Sequence, residues 1–150
     1  MINIGDSVPD FLLLDQNDQE HSIKKYKGQK VLLFFYPKDN TPGCTQEACS
    51  FRDAYKDIKD KGVQILGISK DNTRSKKRFA DKYELNFPLL ADEDKTIAQA
   101  YEVLKEKSMF GKKYMGIQRD SFLIDENGKL LKHYIKVKPS EHVAEVLKDL

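Results

Sequence analysis

The sequence predicts an α/β protein with a central mixed β-sheet, helices on its faces and an N-terminal β-hairpin. Three observations point there. Two apolar runs, "KVLLFFYP" and "VQILGIS", are too short and too continuously apolar for amphipathic helices. Runs of that kind mark strands buried on both faces. Amphipathic segments alternate with them, and "DSFLIDENGKLLKHYIK" carries two strands around a turn at Asp125 to Gly128.

Taken in order, "FLLLD" (Phe11 to Asp15) and "EHSI" (Glu20 to Ile23) flank the polar "QNDQ" and read as a short hairpin. "KVLLFFYP" ends at Pro37, and a helix follows over Pro42 to Lys61. "VQILGIS" (Val63 to Ser69) is the next buried strand. "NTRSKKRFADKYEL" reads as a charged helix, with Phe79 and Tyr83 four apart. "FPLLAD" is a short extended piece, and "DKTIAQAYEV" another helix. The last segment, "SEHVAEVLKDL", sets Val143, Val146, Leu147 and Leu150 on one face, with Ser140 placed to cap it. The order is ββ–β–α–β–α–(β)–α–β–β–α. No repeat, low-complexity tract or linker divides residues 1–150, and one domain is expected.

The net charge of +2 and the interleaving of acids with bases argue against a nucleic-acid-binding stripe. Of the 26 basic residues only Arg52, Arg74, Arg78 and Arg119 are arginines; the lysines read as a solvated surface. No apolar run approaches the ~20 residues of a membrane span, and "MINIGDSVPDF" does not read as a signal peptide. The expectation is a cytoplasmic protein with neither nucleic acid nor membrane as partner. A static disulfide would be unusual in that compartment.

That makes "PKDNTPGCTQEACSFR" the informative stretch, because it holds both cysteines of the chain, Cys44 and Cys49. Thr41 suits an N-cap, Pro42 the first helical position, and Gly43 a close approach of backbone to a ligand. Cys44 then sits in the first helical turn, where free N–H groups and the helix dipole favour negative charge. In such places thiol pKa values fall to about 3.5–7.5, and the thiolate is the nucleophile.

Cys44, Ala48, Phe51, Tyr55 and Ile58 form one helical stripe, whereas Cys49 falls with Arg52, Asp53 and Lys56 on another side. Two thiols five apart in an ideal helix are about 140° apart with ~7.5 Å of rise. Their Cα atoms are roughly 8.7 Å apart, beyond the ~7 Å that a disulfide spans. Bonding them requires the helix to unwind. Other readings stay open on these residues alone. A buried cysteine can be merely a small hydrophobe. Two thiols with the scattered His21, His133 and His142 make no zinc signature. The C-x-x-x-x-C spacing also differs from the C-x-x-C of dithiol reductases.

"YPKDNTPGCTQEAC" resembles the peroxiredoxin active-site motif P-x-x-x-T-x-x-C, matched by Pro37, Thr41 and Cys44, and the second cysteine resembles the bacterioferritin-comigratory (PrxQ) subfamily. The likeness extends through "GVQILGIS", "FPLLAD" and "KYMGIQRDSFLIDENGK", over essentially the whole chain. The resemblance implies a thioredoxin-like fold and thiol-dependent reduction of hydrogen peroxide and organic hydroperoxides. It implies that Cys44 is the peroxidatic cysteine and Cys49 the resolving one. Pro37 would shield the pocket, Thr41 hold the peroxide, and Arg119 complete the site. Fixed donors suit the charge that develops on the leaving oxygen, and the Gly43–Cys44 backbone, Thr41 and Arg119 can supply them.

Sulfenic acid at Cys44 would condense with Cys49, and thioredoxin or a similar dithiol protein would reduce the product. The chemistry resides in sulfur, so neither cofactor nor metal is expected, and a monomer suffices. Glu47 in the first turn either complements the helix dipole or orients Arg119, and the dipole reading is preferred. Phe34, Phe35 and Tyr36 read as core, with Tyr36 also a candidate to line the pocket. The three histidines receive no role. A redox sensor or holdase, or a general dithiol–disulfide oxidoreductase, are the competing functions.

Overall fold

The computed structural model describes residues 2–150. Its centre is a five-stranded sheet in the order β5-β4-β3-β8-β9. Strand β3 (Lys30–Phe35) pairs parallel with β4 (Val63–Ser69) and antiparallel with β8 (Ser121–Ile124). β5 (Leu89–Ala91) extends the parallel side, and β9 (Leu130–Tyr134) the antiparallel side. The sheet is therefore mixed, as expected.

Successive side chains of β3 enter opposite cores, which is why the run is apolar without alternation. Leu32, Phe34 and Tyr36 pack with Cys44, Ala48, Phe51 and Ile58 of α1 (Pro42–Asp60), and with Phe79 of α2 (Thr73–Tyr83). Val146 of α4 (His142–Lys148) closes that core, with Val143, Leu147 and Leu150 partly buried against it. Val31, Leu33 and Phe35 pack on the other face with Leu66, Phe122 and Ile124. Tyr101, just after α3 (Thr96–Ala100), completes that second core with the N-terminal segment's Val8 and Phe11.

The N-terminal hairpin forms, reduced to the two-residue strands β1 (Leu13–Leu14) and β2 (Glu20–His21). The Asp125–Gly128 turn forms as well. Asp125 Oδ1 accepts from the amides of Asn127 and Lys129, at 2.8 and 2.9 Å.

Three expectations need correction. Ser140 does not cap α4; Glu141 holds the N-cap position and no side chain bonds there. The lysines read as a solvated surface include one, Lys76 of α2, that is completely buried (0% exposed). A hairpin over β6 (Leu104–Met109) and β7 (Lys112–Ile117) was absent from the predicted order. It forms its own two-stranded sheet, and most of its side chains are solvated, so no buried face impressed a period on the sequence.

Candidate active site

Strand β3 ends at Phe35, and the segment from Tyr36 to Thr41 carries the chain to the start of α1. Thr41 has extended backbone (φ −96°, ψ 155°) and its carbonyl accepts the Thr45 amide at 2.8 Å, as an N-cap residue should. Its side chain does not cap the helix. The hydroxyl instead donates to the Lys38 carbonyl at 3.0 Å, leaving oxygen lone pairs available. Pro42 occupies the first helical position.

Cys44 is 1% exposed, on the expected inward stripe, while Cys49 is half-buried on another side of the same unbroken helix. Both are free thiols.

Arg119, immediately before Asp120 and β8, reaches across to this helix start. Its Nη2 lies 3.1 Å from Cys44 Sγ, and its Nη1 lies 3.5 Å from Glu47 Oε1. The guanidinium passes so close over Gly43 that a Cβ there would meet Nη2 at 2.9 Å. Glycine at 43 therefore makes room for the arginine, a use in addition to backbone approach.

The Arg119 backbone is itself fixed. Its carbonyl accepts the Val137 amide at 2.8 Å. Next to it, buried Asp120 accepts from His133 Nε2 at 2.7 Å and from the Lys136 amide at 3.0 Å. Asp120 had no place in the sequence reading; its adjacency to Arg119 in "QRDSF" was the only signal.

Glu47 is fully buried (0% exposed), and its Oε2 has no hydrogen-bond partner. Burial pushes its carboxyl up to about 7, with Arg119 pulling the other way. A dipole-compensating surface acid would be solvated, so the preferred reading of Glu47 is corrected: it lies under Arg119, as the second reading had it.

Tyr36 needs a second correction. It is 1% exposed, and its hydroxyl donates to Asp39 Oδ1 at 2.6 Å rather than facing an opening. Lys76 Nζ joins the same buried network, 3.2 Å from the Tyr36 hydroxyl, 3.3 Å from Asp39 Oδ1 and 2.6 Å from Ser69 Oγ. Asp39 also accepts from Ser75 Oγ at 2.9 Å, and its amide donates to Asp71 at 2.8 Å. The segment before α1 is thereby tied to the end of β4 and to α2. Pro37 stays half-buried at the surface of that segment.

The histidines are each engaged in structural pairs. His21 contacts Asp15 and Tyr26, His133 contacts Asp120 and stacks on Phe122, and His142 contacts Ser121 and Glu145. Among the described residues no group of three or more His, Cys, Asp or Glu could hold a metal ion.

Comparison with known proteins gives the family and the fold. Residues 4–133 match the AhpC/TSA family. A putative peroxiredoxin bcp of Coxiella burnetii is 48% identical over 146 residues, covering 97% of each chain. The crystal structure of a cysteine-to-serine mutant of Xylella fastidiosa PrxQ superposes with a TM-score of 0.94 at 32% identity, over 99% of this chain and 95% of that one. A Xanthomonas campestris bacterioferritin comigratory protein, solved as trapped intermediate/ligand complexes in relation to alkyl peroxide reduction, gives 0.90 at 32% identity over 96% of each. The fold is that of the thioredoxin-like peroxiredoxins. With a helix-start cysteine facing an arginine on such a fold, the chain belongs to the AhpC/TSA family and is a peroxiredoxin of the Bcp/PrxQ type, a thiol-dependent peroxidase.

Proposed function

We propose that residues 1–150 act as one domain that reduces hydrogen peroxide and organic hydroperoxides through Cys44, with Cys49 as resolving thiol and thioredoxin or a similar dithiol protein as reductant. The observation that carries this reading is the 3.1 Å approach of Arg119 Nη2 to Cys44 Sγ at the first turn of α1. A cation there reaches the one sulfur that sits in the first turn of a helix, where the dipole favours negative charge.

In the first step the Cys44 thiolate attacks the terminal peroxide oxygen. An S–O bond forms, the O–O bond breaks, and the leaving alkoxide or hydroxide takes a proton. Sulfur is oxidised and the peroxide reduced. The Arg119 fork and the helix-start amides stabilise the charge on the departing oxygen. Thr41, whose proton is committed to Lys38, accepts a hydrogen bond from the incoming hydroperoxide. The Cys44 sulfenic acid then condenses with the Cys49 thiol, forming the disulfide and releasing water. An external dithiol returns both cysteines to thiols.

No helix among the described residues is long and apolar enough to cross a membrane. That is compatible with a cytoplasmic monomer, in which Cys49 on the same helix dispenses with a partner subunit. The test is peroxide-dependent NADPH consumption with thioredoxin and its reductase. Wild-type protein should turn over catalytically, and Cys44→Ser should not. Catalytic turnover by Cys44→Ser would remove Cys44 as nucleophile.

A further inference from the structure

The β6–β7 hairpin stands apart from the central sheet, and its tip is chemically unusual. Met109 and Lys112 face each other across a two-residue turn made by Phe110 (φ 51°) and Gly111 (φ 77°). Both central residues have positive φ, as a type I′ turn requires. Asparagine, aspartate or glycine fits the first of these positions; a bulky aromatic there is strained. Phe110 is also 98% exposed. This side chain is unfavourable for the turn and for solvation, and it contributes no packing inside the chain. Only a contact outside the molecule would offset both costs.

Its neighbours indicate what that contact is. Met109, Tyr114 and Met115 are exposed as well. Met109 shares a ribbon face with Lys107, Lys112 and Tyr114, whereas Met115 lies opposite Glu106 on the other face. Apolar groups thus project from the tip and from both sides of the ribbon. A protein surface would cover one face, but a fluid apolar medium can surround all of them. The hairpin carries Lys105, Lys107, Lys112 and Lys113 against the single acid Glu106. Lys112 and Lys113 lie beside the turn, with Lys113 Nζ 3.6 Å from Glu106 Oε1, whereas Lys107 Nζ turns back to the Ile117 carbonyl at 2.7 Å.

Beside it, a cavity of about 190 Å³ is lined by Pro37, Lys38, Lys70, Lys95, Lys107 and Tyr114, with no acidic side chain in its wall. Positive charge flanks the apolar tip at Lys112 and Lys113 and continues past the base of the hairpin in the lysines of that cavity. That combination is how peripheral proteins engage anionic lipid, aromatic groups entering below the headgroups and lysines remaining among them.

We propose that the β6–β7 hairpin is a membrane-surface anchor, with Phe110, Met109 and Met115 entering an anionic bilayer and Lys112 and Lys113 engaging its headgroups. This differs from the sequence expectation of no membrane partner, which rested on the lack of a spanning segment and of a signal-peptide pattern. It is independent of the peroxidase reading.

The test is sedimentation of the full-length protein with vesicles of phosphatidylcholine alone and of phosphatidylcholine mixed with phosphatidylglycerol. Wild-type protein should pellet with the anionic vesicles at about 0.02 M salt and be released at about 0.5 M. Phe110→Asn should be at least as stable thermally, because asparagine suits the turn, yet bind about tenfold more weakly or less. Lys112→Gln and Lys113→Gln should each weaken binding about fivefold. The chain has no tryptophan, so Phe110→Trp provides a lone reporter whose emission should shift to the blue with anionic vesicles. Failure of the wild type to bind anionic vesicles would overturn the proposal, as would binding that Phe110→Asn leaves unchanged. Self-association abolished by Phe110→Asn, with no vesicle binding, would assign the hairpin to a second copy of the chain instead.

Discussion

Glu47 and Arg119 form an unequal pair: Oε1 of the buried glutamate is 3.5 Å from Nη1, and Oε2 has no hydrogen-bond partner among the described residues. One long contact does not compensate the burial of a carboxylate, so the carboxyl is pushed up to about 7 from its ordinary 4.5. Between those two values the native protein retains a proton that the unfolded chain has lost. The stability from this group is full below pH 4.5 and is lost as pH rises towards 7. Glu47→Gln removes the titration. Its stability relative to wild type should rise by on the order of 3 kcal/mol between acid and pH 8. Urea unfolding of both proteins across that range measures it, and parallel curves would show that Glu47 does not titrate there.

Arg119 is the one guanidinium at the sulfur, and lysine is a poor substitute for it. A lysine at 119 preserves the charge beside Glu47 but loses the fork that contacts Glu47 and Cys44 with two nitrogens. Arg119→Lys should slow the reaction of Cys44 with peroxide by about 10²-fold. It should lower stability by only about 1 kcal/mol or less. Stopped-flow rates beside a denaturation curve separate the two effects. Wild-type rates in this variant would return Arg119 to a structural role.

The buried Lys76 balances the carboxylates that hold the segment before α1. Burial lowers its pKa, while Asp39 and Asp71 oppose that shift. Lys76→Met should leave Asp39 buried without a cation and cost about 3–5 kcal/mol. Adding Asp39→Asn should restore much of the loss, because the uncompensated charge is then gone. A double variant no more stable than the single one would show that packing, not charge, sets the cost.

What could be read from the sequence was what a buried period or a turn signature recorded. β3 and β4 were legible because both their faces are covered, and Cys44 because Thr41, Pro42 and Gly43 announce a helix start. Glu47 was misread from its place in the first turn, although it lies three residues from Cys44 and one from Ala48, on the inward side. Lys76 was hidden in the same way: it is three residues before Phe79 on the buried side of α2, among residues whose composition suggested a solvated face. The β6–β7 hairpin left no period, since what shapes it is not the protein core.

Cys44 and Cys49 share one helix that is continuous from Pro42 to Asp60 while both are thiols. In an ideal helix their Cα atoms are roughly 8.7 Å apart, farther than the ~7 Å a disulfide tolerates. The turns between them must therefore open for the bond to form. Cys44 has to leave the core beside Ala48 and Phe51, which requires Arg119 to release its sulfur. After one equivalent of peroxide, far-UV circular dichroism should show a loss of helix, and amide exchange over residues 44–52 should accelerate. Cys49→Ser should react once with peroxide without recycling, and should progress to sulfinic acid as peroxide rises. Oxidised wild-type protein that keeps the helix through both cysteines and lacks a Cys44–Cys49 disulfide would place the resolving thiol in another molecule.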